Sequence, residues 1–523
     1  MRYYVKIKKE INAVLEKMAS TALTLGFDEI ACACEEGCKR LTSPLRIGII
    51  GITKAGKSTL INAIIGKRFL PTNALVCTYN VNVLRHKTRS PIGEECVIIH
   101  LNDGNKKVMS LMDFSALVDQ TETKFAKLRT EIEWVEVFID SDVLIEADLI
   151  DSPGLNSANG IDAQNTERFL AGHINELQPD VVLFLVQKEF TEEDLNIVQR
   201  FQQTYSREDA GNELIGNSIT CFRSDPSPFD DVDNSTPSAR MNVINNKKKL
   251  YPKFDTCFAN AYYVAPLHAL AAYLMTEEDF IKMQSICHDV IAYKKLKRRN
   301  DDHFLNQESW DALSIEEKEM WLKIIGNRNE VIKFVQKFGV AAIQRCCWWI
   351  EKNQSGTLNE VKRYLLEYSN LKDVEQYVFG CFRSFSVFFK YIKCIIDIRR
   401  LISEARKHSN PNMQEYLNKM DIMCKRIADY LYNSFAYLSV IREAYKGITR
   451  DAYFTDLEWN RVIETVRLCY SDLIVDKEQL YDEMEHWAST KKYYNLIYNY
   501  DAEVAAKSLI LLIKQRLWDY ENG

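Results

Sequence analysis

Proline almost disappears from this 523-residue chain after position 266: ten of its eleven prolines lie at or before Pro266, and only Pro411 follows. Glycine is sparse over the same stretch. Both residues interrupt helices, so their scarcity excludes a loop-rich or sheet-rich second half and predicts an almost wholly helical one. Apolar residues recur there at three and four, as from Val361 to Tyr368 and from Val504 to Trp518. No apolar run approaches the roughly 18 residues that a membrane-crossing helix needs. Charge of one sign is also lacking: 67 Lys+Arg against 73 Asp+Glu give a net charge of −6, which excludes nucleic-acid binding through a global basic field. Any anion site must be local. The opening MRYYVKIKKE lacks the apolar core and cleavage site of a secretory signal, and the chain reads as cytoplasmic. Its fourteen cysteines are scattered through apolar segments, as reduced thiols are. Cys32, Cys34 and Cys38 have no Cys/His partner at a zinc-like spacing and read as thiols on a helix.

The front half is different. Short β-rich runs (45–50, 95–101, 131–139, 143–150, 181–186, 218–222 and 261–264) alternate with amphipathic segments, the pattern of an α/β domain. Residues 1–40 precede the first strand and have Ile11, Val14, Leu15 and Met18 at helical spacing. The organisation expected is an N-terminal helix (1–40) packed with the C-terminal helices, an α/β nucleotide domain with a mixed, mostly parallel sheet (41–275), and an elongated all-α bundle or stalk (276–523).

The strand Leu45 to Ile50 runs into Gly51-Ile52-Thr53-Lys54-Ala55-Gly56-Lys57-Ser58 and then into the helical stretch Thr59 to Ile65. This is G-x4-G-K-[ST] between a strand and a helix, where glycines let backbone N–H groups converge on phosphate oxygens at the positive end of the helix. Gly51, Thr53, Lys54, Ala55, Gly56, Lys57, Ser58 and Thr59 are the expected nucleotide contacts. Lys57 places a cation on the β- and γ-phosphates, and the Ser58 hydroxyl is a Mg²⁺ ligand. Asp151 follows an apolar strand and faces the same Mg²⁺ shell, and Gly154 brings its N–H to the terminal phosphate because it has no side chain. Between these motifs, Leu70-Pro71 opens a polar loop that enters a strand. Thr78 in this loop is the expected switch residue on Mg²⁺ and γ-phosphate, with Thr72 the second candidate. Beyond strand 218–222, Arg223 and Asp225 are expected at the base, Asp225 accepting both N–H groups of a guanine edge.

Thr53 to Ile64 (TKAGKSTLINAI), Phe69-Leu70-Pro71 with Thr78 after six intervening residues, and Asp151 to Asn156 (DSPGLN) resemble the P-loop, switch I and switch II of the dynamin superfamily, most closely its bacterial dynamin-like proteins. The match by motif covers about residues 45–270. The resemblance implies a large GTPase with GTP as substrate and Mg²⁺ as cofactor. It also implies heads that dimerise across the nucleotide, and a stalk that assembles with copies of itself or with another dynamin-like chain and binds or remodels membranes. Two departures stand out. The family's Asn/Thr-Lys-x-Asp is here Phe222-Arg223-Ser224-Asp225, which keeps the aspartate alone and leaves an ATPase as a further reading. Lys54 occupies the position where several eukaryotic members place a serine; its ammonium either replaces a bound monovalent cation or faces solvent. No glutamine or histidine follows Gly154 directly, so catalytic geometry completed in trans is expected, with Lys57, Thr78 and Lys54 the catalytic groups of each protomer.

In the helical half, residues 378–398 place Arg383, Ser386, Lys390, Lys393 and Asp397 on one narrow polar stripe among Phe385, Phe388, Phe389 and other apolar residues. This suits a helix in a bilayer interface, with Phe385, Phe388, Phe389, Lys390 and Lys393 touching an anionic membrane surface at the inner face. It suits a helix buried in a bundle equally. Lys294, Lys295, Lys297, Arg298 and Arg299 form a basic cluster whose simpler reading is a solvated turn. A membrane-acting GTPase and a soluble nucleotide-gated switch acting on a protein partner therefore both remain open, and nucleic acid is not expected as a partner of either.

Overall fold

The computed structural model describes residues 2–51, 55–70, 81–118, 126–152, 179–186, 196, 198–199, 218–223, 260–354, 356–375, 378, 383–434, 456–470, 476–497 and 500–522. Among the described residues nine strands form one sheet: β1 (Leu45–Gly51), β2 (Val81–His86), β3 (Cys96–Leu101), β4 (Lys106–Met109), β5 (Ile132–Ile139), β6 (Ala147–Asp151), β7 (Val181–Val186), β8 (Ser218–Arg223) and β9 (Asn260–Val264). Their order is β4-β3-β5-β2-β6-β1-β7-β8-β9. The run from β6 to β9 is parallel, whereas β2 lies antiparallel to β6 and β3 antiparallel to β4 and β5. The sheet is thus mixed and mostly parallel, with helices around it, and the second half of the chain is helical.

β1 is central because its residues can be buried on both faces: Ile47, Ile49 and Ile50 have no exposed surface. An uninterrupted apolar run is what a strand covered on both faces requires. The run at 143–150 is not one strand, since Val143–Glu146 is a turn of helix and only Ala147–Asp151 joins the sheet. The strand after the polar loop, Val81–His86, pairs between β5 and β6.

Before the sheet, two helices replace the single one expected: α1 (Arg2–Thr24) and α2 (Asp28–Thr42), broken at Gly26, whose φ of 76° suits glycine. α1 packs against α2 and against the helices Arg383–Lys407, Pro411–Ser434 and Tyr500–Asn522. The helical half is organised round two cores. One, centred on Trp321, Phe304, Phe338 and Cys347, gathers the helices between Pro266 and Ser369; the other is continuous with the sheet and takes in α1, α2 and the helices after residue 370. In the first of these units Arg299 forks onto the buried Glu317 carboxylate at 2.9 and 2.7 Å, and Lys297 lies over the Tyr293 ring, while Lys294, Lys295 and Arg298 are exposed.

The Arg383–Lys407 helix meets α2 closely: a methyl group on Gly37 would lie 2.2 Å from the Cys394 sulfur. The stripe, which in sequence suits a bilayer interface or a bundle core, faces inward at Lys390 and Lys393. Lys390 is buried and donates to the carbonyls of Ser43 and Pro44, the latter at 3.0 Å, and Lys393 is buried beside it. In this conformation neither ammonium is presented to a lipid surface; burial against the base of the sheet is what their side chains satisfy. The side chains of Phe385, Phe388 and Phe389 lie outside the described residues.

Burial pushes Lys393 down to about 7, with Arg40 adding repulsion that Asp397 and Asp180 only partly offset. The unfolded chain holds that proton up to the ordinary lysine range. The cost of burying the charge is therefore full below about pH 7 and fades as pH rises toward the unfolded value. Lys393→Met is expected to raise stability by about 1–3 kcal/mol near neutral pH. Urea denaturation of both proteins across pH should show the gain shrinking toward alkaline pH; a gain independent of pH would contradict this account.

Candidate functional site

The carboxyl ends of β1, β6, β7 and β8 lie along one edge of the sheet because these strands are parallel, and α/β proteins bind ligands at such an edge. Three features of the chain meet there.

The first is the turn out of β1. A Cβ on Gly51 would lie 2.4 Å from the Leu185 carbonyl oxygen of β7, so only glycine lets the chain leave β1 alongside its neighbour. Gly56 then adopts φ 97°, in the left-handed region, immediately before α3 (Lys57–Ile65). Such a turn places the start of α3 at the end of β1, and a helix start is where anions bind. Ala55 and Thr59 are buried around it.

The second is the Lys57 side chain. It is buried and donates to the Gly51 carbonyl at 3.2 Å, so the ammonium lies across the mouth of the turn. The third is a hydroxyl–carboxylate pair. Ser58, on the first turn of α3, donates to Oδ2 of Asp151 at 3.1 Å. Asp151 ends β6 opposite Ile49 and has no exposed surface. A hydroxyl and a carboxylate converging beside a phosphate turn are the hard oxygen donors that suit Mg²⁺. Ser152 closes the arrangement by donating from its hydroxyl to the Ile49 carbonyl at 3.0 Å, which ties the end of β6 to β1.

Of the residues expected from sequence, Gly51, Ala55, Gly56, Lys57, Ser58, Thr59 and Asp151 come together at this edge. Thr53, Lys54, Thr72, Thr78, Gly154 and Asp225 lie outside the described residues, as does the side chain of Arg223, whose backbone ends β8. Sequence reasoning passed over Ser152 and Asn62. Asn62 carries a visible signal, being an amide inside the otherwise apolar LINAII of α3, where it is fully buried.

Among the described residues no group of three or more His, Cys, Asp or Glu is arranged to hold a metal ion. The Mg²⁺ ligands expected from sequence are Ser58, Asp151 and Thr78, of which Thr78 lies outside the described residues. Among the described residues no helix is long and apolar enough to cross a membrane.

Residues 47–216 match the sequence profile of the Dynamin family. The isoniazid-induced protein IniC of Mycobacterium tuberculosis is 30% identical over 159 residues, 30% of either chain. A bacterial dynamin-like protein of Nostoc punctiforme is 31% identical over 145 residues, 25% of this chain and 19% of that protein. Dynamin-like protein 2 of Campylobacter jejuni is 24% identical over 233 residues, 44% of this chain and 33% of that one. The matches thus span between about a fifth and a third of these relatives. A solved structure described as an oligomerised bacterial dynamin pair, in work on the long-range sensing and tethering of membranes, overlaps 94% of this chain and 87% of its own at 14% identity. Its TM-score of 0.31 is too low to carry an argument.

Gly51→Ala is expected to cost about 1–3 kcal/mol through the clash with Leu185 and to remove nucleotide binding. Thermal denaturation with and without nucleotide measures both; a variant that still gains stability from nucleotide would show that the turn relaxes.

Proposed function

With residues 47–216 a dynamin-family domain, in a superfamily whose members are GTPases, we propose that this chain hydrolyses GTP to GDP and phosphate at the edge formed by β1, β6 and α3. The observation that carries the reading is the Ser58–Asp151 contact beside the buried Lys57. A buried lysine, a hydroxyl and a carboxylate side by side support it, because phosphoryl transfer uses such groups around one phosphate and one hard cation.

In this reading Lys57 leaves the Gly51 carbonyl for the β- and γ-phosphates, and the backbone N–H groups at the start of α3 hold the phosphate chain. Ser58 and Asp151 are the residues that would hold Mg²⁺. When bound, Mg²⁺ supplies charge neutralisation on the transferring phosphoryl oxygens. Thr78 joins the metal and γ-phosphate from the switch loop, with Thr72 as second candidate, and Gly154 senses the γ-phosphate. Lys54 stabilises charge near the attacking water, and Asp225 with Arg223 reads the base. These assignments rest on motif and spacing. A sequence with no evident water-positioning base after Gly154 is completed best in trans, so turnover rises with dimerisation and is coupled to oligomers of this chain, alone or with another dynamin-like chain.

Action at a membrane belongs to the same proposal, and its support is the company of bacterial dynamin-like relatives. The inward-facing Lys390 and Lys393 are the observation that favours the second reading, a soluble nucleotide-gated switch acting on a protein partner.

The decisive experiment measures phosphate release from GTP and from ATP over a wide range of protein concentration, for wild type and Lys57→Ala. GTP-selective turnover whose rate per protomer climbs with concentration is expected, reduced at least a hundredfold in the variant. Equal rates with ATP would overturn the guanine assignment, and undiminished turnover in Lys57→Ala would overturn the site. Co-sedimentation with anionic and neutral vesicles then separates the membrane reading, which requires pelleting with lipid, from the soluble switch, which forbids it.

A further inference from the structure

The connection from α3 to the switch loop is held by a side chain to which neither the nucleotide motif nor the family match assigns a role. Asn62 has no exposed surface. Its Oδ1 accepts from the backbone N–H groups of Phe69 at 3.0 Å and Leu70 at 2.8 Å, and its Nδ2 donates to the Leu70 carbonyl at 2.7 Å. One carboxamide therefore holds two consecutive backbone N–H groups and one carbonyl, and fixes the position of Phe69 and Leu70 against α3. Gly66, with φ 72°, ends the helix and turns the chain back so that the pairing can form.

Position matters more than packing here. Asn62 is four residues beyond Ser58, so the two lie on one face of α3 with Cβ atoms about 6 Å apart. Leu70 is thereby fastened within a helical turn of the proposed metal ligand. The far end of this connection is held at the same edge, because β2 starts at Val81 and Asn82 stands opposite Asp151 across the β2–β6 pairing. A second side chain grips the connection from outside: Arg68 donates to the Gln336 carbonyl of the Arg328–Phe338 helix and is attracted by Asp301.

We propose that Asn62 is a positioning residue for the γ-phosphate end of the site, setting where the segment after Leu70 leaves α3 and so the preference of the protein for GTP over GDP. This rests on the reading of the edge as a GTPase site. An amide that merely filled space would affect both nucleotides alike. One that places the switch segment acts only where a γ-phosphate is present to be met.

The test compares Asn62→Ala and Asn62→Asp with wild type, measuring the affinity of GDP and of a non-hydrolysable GTP analogue with Mg²⁺, and kcat and KM for GTP. Asn62→Ala should weaken the GTP analogue at least tenfold and GDP less than twofold, with kcat lowered. Asn62→Asp keeps the acceptor for both N–H groups and should recover most of the lost discrimination. Equal weakening of both nucleotides, or weakening of neither, overturns the proposal. Should Asn62→Ala fail to fold by circular dichroism, Arg68→Met, at a half-buried position, should shift the same ratio in the same direction by about threefold, and no shift overturns the proposal. A wild type that binds neither guanine nucleotide is a separate outcome, since it removes the GTPase reading on which the proposal stands.

Discussion

A single carboxylate with no exposed surface, Asp180, fastens the base of the sheet to the helices around it. It accepts from Arg40 of α2 at 3.0 Å and from the backbone N–H of Arg46 in β1 at 2.9 Å, while its own N–H donates to the Arg46 carbonyl at 2.8 Å. Burial alone pushes such a carboxyl up, but the charges of Arg40, Lys390 and Arg46 hold it below its ordinary range, so it stays ionised. Removing one partner of a buried pair leaves the other charge unsolvated, which costs far more than the pair itself contributes. The junction of α2, β1, β7 and the Arg383–Lys407 helix is therefore a set of groups that need each other.

The consequence for the site follows from the shortness of β1. Its seven residues separate this buried junction from the phosphate turn, and the same strand pairs with β6 and β7 on either side. Charge continues from the junction along one face of the sheet: Arg46 stands opposite Asp148, Asp148 is paired with Arg85 and Arg89, and Arg85 shares Glu136 with His100. Each pair joins groups from different strands or from the turn after β2, so the relative placement of the strands is held by ionic partners as well as by backbone pairing. The edge formed by β1, β6 and α3 is thus built on a strand whose two ends have different tasks. One end is anchored by charge and the other is shaped by glycine.

How much of this was legible in sequence depends on whether a residue's role is local. The turn out of β1 is local, since Gly51, Gly56, Lys57 and Ser58 are near neighbours in the chain, and spacing alone marks a glycine turn between a strand and a helix. Asp151 is legible for a similar reason, because an apolar run that ends in an acid marks the end of a buried strand. Asp180 is not legible, because its partners come from residues 40, 46 and 390 and no periodicity announces them. The same non-locality explains the stripe at 383–397. Amphipathic spacing shows that one face of a helix differs from the other, but not which face is covered, and here Lys390 meets the carbonyls of Ser43 and Pro44 between α2 and β1. The run at 143–150 misled for an energetic reason: apolar residues serve a buried helical turn and a buried strand equally well, and length was the only discriminator.

The two cores of the helical half bear differently on the site. The core continuous with the sheet reaches β1 from behind, through Asp180 and Lys390. The other reaches α3 directly, since the Pro266–Leu274 helix packs on α3 and Arg68 grips the Arg328–Phe338 helix. Any rearrangement at the phosphate edge therefore has two separate mechanical outlets, one through the base of β1 and one through the exit of α3. They differ in kind. The first is ionic and buried, so it resists small displacement until a whole set of charges shifts together. The second runs through hydrogen bonds to two consecutive backbone residues, which exchange singly at lower cost.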